Sequence, residues 1–478
     1  MLLLCLVISS VPVIGQTGGA IWEDGPVMNK TRIFPFVAQL DDNRNIIFGG
    51  REVGFISSYY SDIYDPFTNS FDEYLMNTPR DFPAVTPLED GRFIIAGGSD
   101  DWGVAPGYTS IEFFNPSDNS FTLAGNMIYG RMQHSAMQLE NGNVLIVGGW
   151  YSPDAAAYPE VFNPEAGTSS LTGALVVPRS APVLLPTGDG GAIVLGGWPS
   201  YGGDIITTVE YYDPVSNAFT ELSAEIFPSE PGWKVYGLID YKPMYEKVMN
   251  IGKFLLKAFN DVSDLEYALI AFDPISKSFE KLVLQTTLMG DEISSYYDFV
   301  LNTDRTMAYL LSAYTDVTPY GMKIVSVDLI TGEVNIPDDY FQLPTSHYYM
   351  GTLSWIPSQE KILMIGISTS PSDYFNATDL TMLITPEIKT TEVEAIDAWS
   401  NIILYPNPVV DQCIITGLPK EANVDEVVLI DVQGRMCRLQ PVIEGQSNQW
   451  KINMGDLPSG VYVLRIGADY SQKILIQH

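Results

Sequence analysis

GRMQHSAMQLENGNVLIVGG, residues 130–149, carries the pattern that most of the chain repeats. Arg131 comes first, then a short apolar run, then Asn141-Gly142, then a second run closed by Gly148-Gly149. An Asn-Gly step between two apolar runs signals a tight hairpin turn. The same closing run recurs as IIFGG (46–50), IIAGG (94–98) and IVLGG (193–197), with intervals of 48, 51 and 48 residues from Gly49 through Gly97 and Gly148 to Gly196. An Arg precedes each: Arg32, Arg80, Arg131 and Arg179. A turn signal follows each: IYDPFTNSF (63–71), FFNPSDNSF (113–121), VFNPEAGTS (161–169) and YYDPVSNAF (211–219). Several signals in one fixed order, at one spacing, define an internal repeat of about fifty residues.

Beyond residue 220 the pattern continues in weaker form. VMNIG (248–252), AYLLS (308–312) and LMIGI (363–367) stand where the Gly-Gly strand is expected, and AFDPISKSF (271–279) and SVDLITGEV (326–334) stand for the turn. That makes seven copies of the first signal. The seventh unit ends at TMLITPE (381–387) without its last strand, while AIWEDGPVM (20–28) reads as the tail of a unit without its beginning. The N-terminal strand is therefore expected to complete the seventh unit. Four short antiparallel strands per unit, closed in a circle, make the blades of an all-β propeller. An open solenoid would not need this circular completion.

Residues 130–149 resemble the signature of the kelch-repeat family, whose seven-bladed form includes the galactose oxidase propeller. The match is specific in blades 1 to 4, where Phe71, Phe121 and Phe219 stand at the place of the family's usual Trp after the turn. The resemblance implies a seven-bladed kelch-type propeller over residues 16–387.

From residue 401 the composition changes. Residues 401–478 hold 6 Lys+Arg and 8 Asp+Glu, net −2, so −31 of the chain's −33 lies before them. A polar stretch, 388–400, is read as the linker. The segment has its own short strands and is expected to be a small β-sandwich. LYPNPVVD (404–411), LIDVQGR (429–435), LPSGVYVLRI (457–466) and the closing QKILIQH (472–478) resemble, in order, the type A sorting domain of Bacteroidota type IX secretion. The resemblance implies the type IX machinery as partner of residues 401–478, and a protein released or attached at the outer-membrane surface.

The first residues, MLLLCLVISSVPVIG (1–15), are apolar and end in a small residue, the pattern of a secretory signal peptide cleaved to leave Gln16 first. No later run is long enough to span a membrane, so the mature chain is expected to have no transmembrane span. Of three cysteines, Cys413 and Cys437 follow the signal, as one disulfide or as two small core residues. The net charge of −33, from 25 Lys+Arg against 58 Asp+Glu, argues against nucleic-acid binding.

In a blade, links between strands one and two and between three and four are tight and share one face. The links after each Gly-Gly, ten residues or more, share the opposite face with the blade-to-blade links. Long loops on a rigid ring carry recognition. Trp102, Trp150, Tyr151, Trp198 and Tyr201 lie in them and are the candidate ligand contacts, the three indoles soon after successive Gly-Gly pairs. Arg80, Arg131 and Arg179 enter the same face as candidate carboxylate ligands, although arginines at repeat positions more often tie blades together. No metal site and no cofactor are expected. Galactose oxidase-type copper needs His, Tyr and a Cys-linked Tyr, whereas the ring offers His134, His347 and no cysteine. Catalytic residues are not identifiable. The first functional expectation is a secreted binding propeller for glycan or protein. The second is a carbohydrate-active enzyme, a hydrolase or isomerase, using loop carboxylates such as Glu52, Asp100, Asp101 and Asp154.

Overall fold

The computed structural model describes residues 15–17, 20–53, 56–100, 107–150, 153–199, 203–235, 249, 252–260, 266–285, 298–314, 321–337, 341–342, 348–368 and 378–386 of the ring. In the C-terminal module it describes 403–405, 412–416, 427–431, 436–438, 442–443, 450–455, 457, 460–466 and 470–476. The expected signal peptide lies almost wholly outside the described residues.

The ring is a seven-bladed propeller of antiparallel sheets. Blade 1 runs Phe36–Gln39, Asn45–Phe48, Tyr60–Asp65, Ser70–Leu75 from its first strand to its fourth. Blade 2 runs Ala84–Pro87, Phe93–Ala96, Ser110–Asn115, Ser120–Asn126. Blade 3 runs Ser135–Gln138, Val144–Val147, Glu160–Asn163, Thr168–Leu171, with a one-turn helix, Pro153–Ala157, in its long loop. Blade 4 runs Val183–Pro186, Ala192–Leu195, Val209–Asp213, Ala218–Ser223. Blade 5 runs Trp233–Val235, Phe254–Asn260, Glu266–Asp273, Ser278–Gln285. Blade 6 runs Phe299–Leu301, Met307–Tyr314, Gly321–Asp328, Val334–Asn335, and Phe341–Gln342 also pairs with its third strand.

Blade 7 combines the two ends of the ring. Tyr348–Ile356, Lys361–Ser368 and Thr381–Pro386 are its first three strands, and Ala20–Asp24 is its fourth, with Trp22 opposite Ile384. Gly15–Thr17 adds a fifth strand outside it. Trp22 is fully buried and stacks on Phe341 of blade 6, centroids 4.7 Å apart. Lys361 Nζ binds Glu23 across the closure at 2.6 Å.

The second strands of blades 1 to 4 are buried throughout, as continuous apolar runs require. The core lies between blades. One cluster joins Phe36, Ile46 and Ile63 of blade 1 to Val85, Phe93 and Phe114 of blade 2, and another joins Val37, Ile47 and Tyr64 to Ile356, Leu363 and Leu383 of blade 7. Each fully buried Ile or Leu contributes roughly 2 kcal/mol. Aromatic pairs fix the outer strands: Tyr64 faces Phe71, Phe114 faces Phe121, Tyr212 faces Phe219 and Phe272 faces Phe279, with centroids 5.2, 5.0, 4.9 and 5.0 Å apart. The Phe that replaces the usual Trp is thus a cross-strand partner.

One strand assignment is corrected. In blade 5, VMNIG (248–252) is not the second strand. Its described residues belong to the turn before that strand, with Met249 N–H donating to Lys253 O at 2.7 Å and Gly252 N–H to Met249 O at 3.0 Å.

The C-terminal module consists of two four-stranded sheets, one ordered Ile403–Tyr405, Gln412–Thr416, Trp450–Asn453, Val442–Ile443, the other Met436–Arg438, Val427–Asp431, Gly460–Ile466, Tyr470–Ile476. Their inner faces share one core that includes Cys413, Ile415, Leu429, Trp450 and Leu464. Cys413 is a free thiol, so the core reading holds for it, and burial pushes its pKa up to about 12.

Candidate functional site

The face with the long loops is built on four copies of one buried cluster. In blade 3, Arg131 Nη1 donates to Gly148 O at 2.7 Å and Ala155 O at 2.5 Å, while Nη2 donates to Tyr158 O at 2.5 Å and Glu160 Oε1 at 2.8 Å. Arg32 meets Gly49 O, Tyr60 O and Asp62 in blade 1. Arg80 meets Gly97 O, Ser110 O and Glu112 in blade 2. Arg179 meets Gly196 O, Thr208 O and Glu210 in blade 4. All four guanidinium groups are fully buried. Arg80, Arg131 and Arg179 are therefore corrected from ligand contacts to ties within the blade, because each spends its donors on a carboxylate and on backbone carbonyls.

The carboxylates also hold the links between blades. Glu160 accepts from Ile128 N–H at 2.6 Å and Tyr129 N–H at 2.9 Å, and Glu210 from Val176 N–H at 2.7 Å and Val177 N–H at 3.0 Å. Asp62 is raised above the ordinary aspartate range by burial, against the pull of Arg32. These four acids were missed in the sequence. The signal that marks them is their fixed place three residues before the turn Asp or Asn, in DIYD, EFFN, EVFN and EYYD.

The Gly-Gly pairs belong to the same cluster. The first Gly of each presents its carbonyl to the Arg of its own unit, and in the first three units it also touches the Arg of the next. A Cβ on Gly49 would lie 2.4 Å from Arg80 O, and one on Gly97 2.4 Å from Arg131 O. Both glycines also adopt positive φ.

Two residues after each Arg, the chain again turns left-handed: Phe34, Phe82, Gln133 and Ala181 have φ of 52°, 52°, 51° and 48°. The turn sends Gln133 N–H to Phe82 O at 3.2 Å and Ala181 N–H to Gln133 O at 2.7 Å, a hydrogen-bonded chain from blade to blade. Bulky residues are seldom found there. The repeated bonds account for its use here.

Of the candidate aromatics, Trp150 and Trp198 occupy equivalent places, the residue after Gly-Gly. Trp150 N–H donates to Met132 O at 2.9 Å, and Trp198 N–H to Ser180 O at 3.0 Å. Both side chains are half-buried. Blades 1 and 2 hold Arg51 and Ser99 at this place, so Trp102, three residues beyond Ser99, is not equivalent. Trp102, Tyr151, Tyr201 and Asp101 lie outside the described residues. Arg51 is buried and bonds Asp81 of the next blade at 2.5 Å. Glu52 is half-buried, while Asp100 and Asp154 are exposed. Tyr59 and Tyr158 expose 47% and 41% of their surface, enough for contact with a ligand.

His134 is buried, and neither ring nitrogen has a hydrogen-bond partner. Burial, then Arg131 and Arg80, hold its pKa well below the usual histidine value.

Residues 403–477 match the family model of the secretion system C-terminal sorting domain. No curated protein matches the chain by sequence. Among solved structures the chain is similar to one described as a novel fungal alcohol oxidase with catalytic diversity among the AA5 family, in complex with copper. The TM-score is 0.57 and the identity 17%, over 95% of this chain and 99% of that one. That likeness is one of fold. Among the described residues the donors do not fit copper: His134, the one described histidine, is enclosed beside two guanidinium groups, and no three described His, Cys, Asp or Glu side chains converge. No helix among the described residues is long and apolar enough to cross a membrane. The chain is a seven-bladed β-propeller that carries a C-terminal type IX sorting domain, which marks it as secreted or displayed at the cell surface.

Proposed function

We propose that the propeller is a binding module that recognises glycan or protein through its long-loop face. The observation that carries this reading is the paired placement of Trp150 and Trp198, half-buried at the roots of two neighbouring long loops. Each is anchored through its own backbone, so an indole is offered on a rigid support. The repeat arginines and their acids lie beneath as scaffold and are not available to a ligand. Indole faces suit sugar rings and protein hot spots alike.

The test is an array of glycans and of extracellular proteins probed with the full chain, followed by Trp150→Ala. We expect a bound ligand to weaken about tenfold or more on loss of one indole, with little change in melting temperature. A large fall in melting temperature with unchanged binding would make Trp150 a packing lid and sink the assignment. The likeness in fold to an alcohol oxidase favours a second reading, an enzyme on the same face, which for carbohydrate chemistry would use acid side chains. Since the described donors do not suit copper, that reading rests on loop carboxylates such as Glu52, Asp100 and Asp154, and sugar turnover that survives their joint replacement by amides would exclude it.

A further inference from the structure

Blade 1 already holds an ammonium group at the long-loop face. Lys30, in the link that enters the blade, places Nζ 4.3 Å from the centroid of the Tyr60 ring and 3.9 Å from the Glu73 carboxylate. Tyr60 stands two residues before the buried acid Asp62, and Lys30 two residues before Arg32. An aromatic face with a nearby carboxylate is a favourable seat for a cation.

Blade 3 repeats this seat without its occupant. Tyr158 stands two residues before Glu160, the place of Tyr60, and Tyr129 stands two residues before Arg131, the place of Lys30. Among the described residues no cation lies over the ring of Tyr158, a residue that is 41% exposed. Glu73 has no acidic counterpart here, because Leu171 is the residue opposite Glu160. The loop supplies a different acid. Tyr158 N–H donates to Asp154 O at 2.8 Å, so the exposed Asp154 lies one helical turn before Tyr158 on the same face. The loop from Trp150 to Tyr158 has no Lys or Arg, and Arg131 beneath it is buried and fully engaged.

We propose that the blade 3 loop binds the lysine side chain of a partner protein, with the ammonium against Tyr158 and Asp154, as blade 1 binds its own Lys30. This rests on the long-loop face being the recognition face, and it names the partner as a protein with exposed lysines. The net charge of −33 draws such a partner in and repels anionic ones.

The experiment titrates the full-chain protein with an acetylated hexalysine peptide at low and high salt. Tyr158→Ala leaves the net charge unchanged and should weaken binding about fivefold. Asp154→Asn should weaken it about threefold. Lys30→Ala should empty the seat on Tyr60 and Glu73 and add a second site of similar affinity. Circular dichroism melts confirm folding of each variant. Hexalysine that binds wild type and Tyr158→Ala equally would reveal diffuse charge attraction alone and overturn the proposal, as would no binding at all. If a glycan on the array depends on Trp198 while hexalysine ignores Tyr158, the proposal fails and the long-loop face stands as the recognition face. If neither Trp150 nor Trp198 affects any ligand, the reading beneath it fails as well.

Discussion

Arg131 and Glu160 show what one residue does in this ring. The pair is fully buried, so removing one partner leaves an unpaired charge inside the blade. Arg131→Leu also strips donors from three backbone carbonyls and should cost about 3–5 kcal/mol. Glu160→Leu should cost a similar amount, and the double variant should cost clearly less than the sum, which thermal melts of the four proteins would reveal. Additive losses would show that the two act independently. Gly97 and Gly91 separate clash from backbone strain. Both have positive φ, yet a Cβ on Gly97 meets Arg131 O at 2.4 Å, whereas one on Gly91 meets nothing within 4 Å. Gly91→Ala should cost about 1–2 kcal/mol from conformation alone, and Gly97→Ala distinctly more.

His134 supplies a pH dependence at the same scale. Its folded pKa is depressed below the unfolded value near 6.5, so the unfolded chain takes up a proton that the folded chain refuses. Its contribution to stability is present above about pH 6.5 and is lost as pH falls through that value. Asp81, which burial pushes up to about 6, works in the opposite direction at lower pH, because there the folded chain holds the extra proton. Across the interval from pH 7.5 to 6 both effects are present, and the difference between the wild type and a His134 variant isolates the histidine's share. Melting temperature should decline across it in the wild type and decline less in His134→Phe, which also removes two unpartnered nitrogens. Parallel profiles would place the slope elsewhere.

At the scale of elements, what was legible in the sequence follows from this cluster. Arg, Gly-Gly and the turn could each be read because each recurs at a fixed spacing. The structure explains their joint appearance, since Arg needs the glycine carbonyl and the acid together. In blades 5 and 6 the acid's place, three residues before Asp273 and Asp328, is taken by Ile270 and Val325. Without the acid, neither Arg nor Gly-Gly is required there. The repeat fades in the sequence, and the second strand of blade 5 was misplaced. The roles of the repeat arginines were unresolved for a related reason: a buried guanidinium and a ligand-facing one have the same spacing. Ring closure was legible because a missing strand at one end matched a surplus strand at the other. Deleting residues 16–28 should leave the Thr381–Pro386 edge unpaired and remove the Trp22–Phe341 stack. We expect a lower melting temperature and aggregation at the open edge, read by light scattering. Unchanged melting and solubility would mean that the strand does not close the ring.

For the whole molecule, the sorting domain and the proposed recognition face fall on separate parts of the chain. Residues 1–400 carry −31 of the net charge, while residues 401–478 carry −2 and match the sorting domain over 403–477. The C-terminal module has a core of its own, around Ile415, Leu429, Trp450 and Leu464, drawn from its own strands. The ring's closure likewise pairs its own N-terminal strand with Thr381–Pro386. Each part therefore has what folding alone requires, a closed set of strands around its own apolar cluster. Removing residues 401–478 should accordingly leave a folded ring that a type IX-competent host cannot pass across its outer membrane. Fractionation should find it in the periplasm, with the melting temperature of the ring in the intact chain. A truncated ring that appears outside the cell at the normal level would show that export information lies in the propeller. A truncated ring that is degraded or unfolded in the periplasm would show instead that the two parts depend on each other for folding.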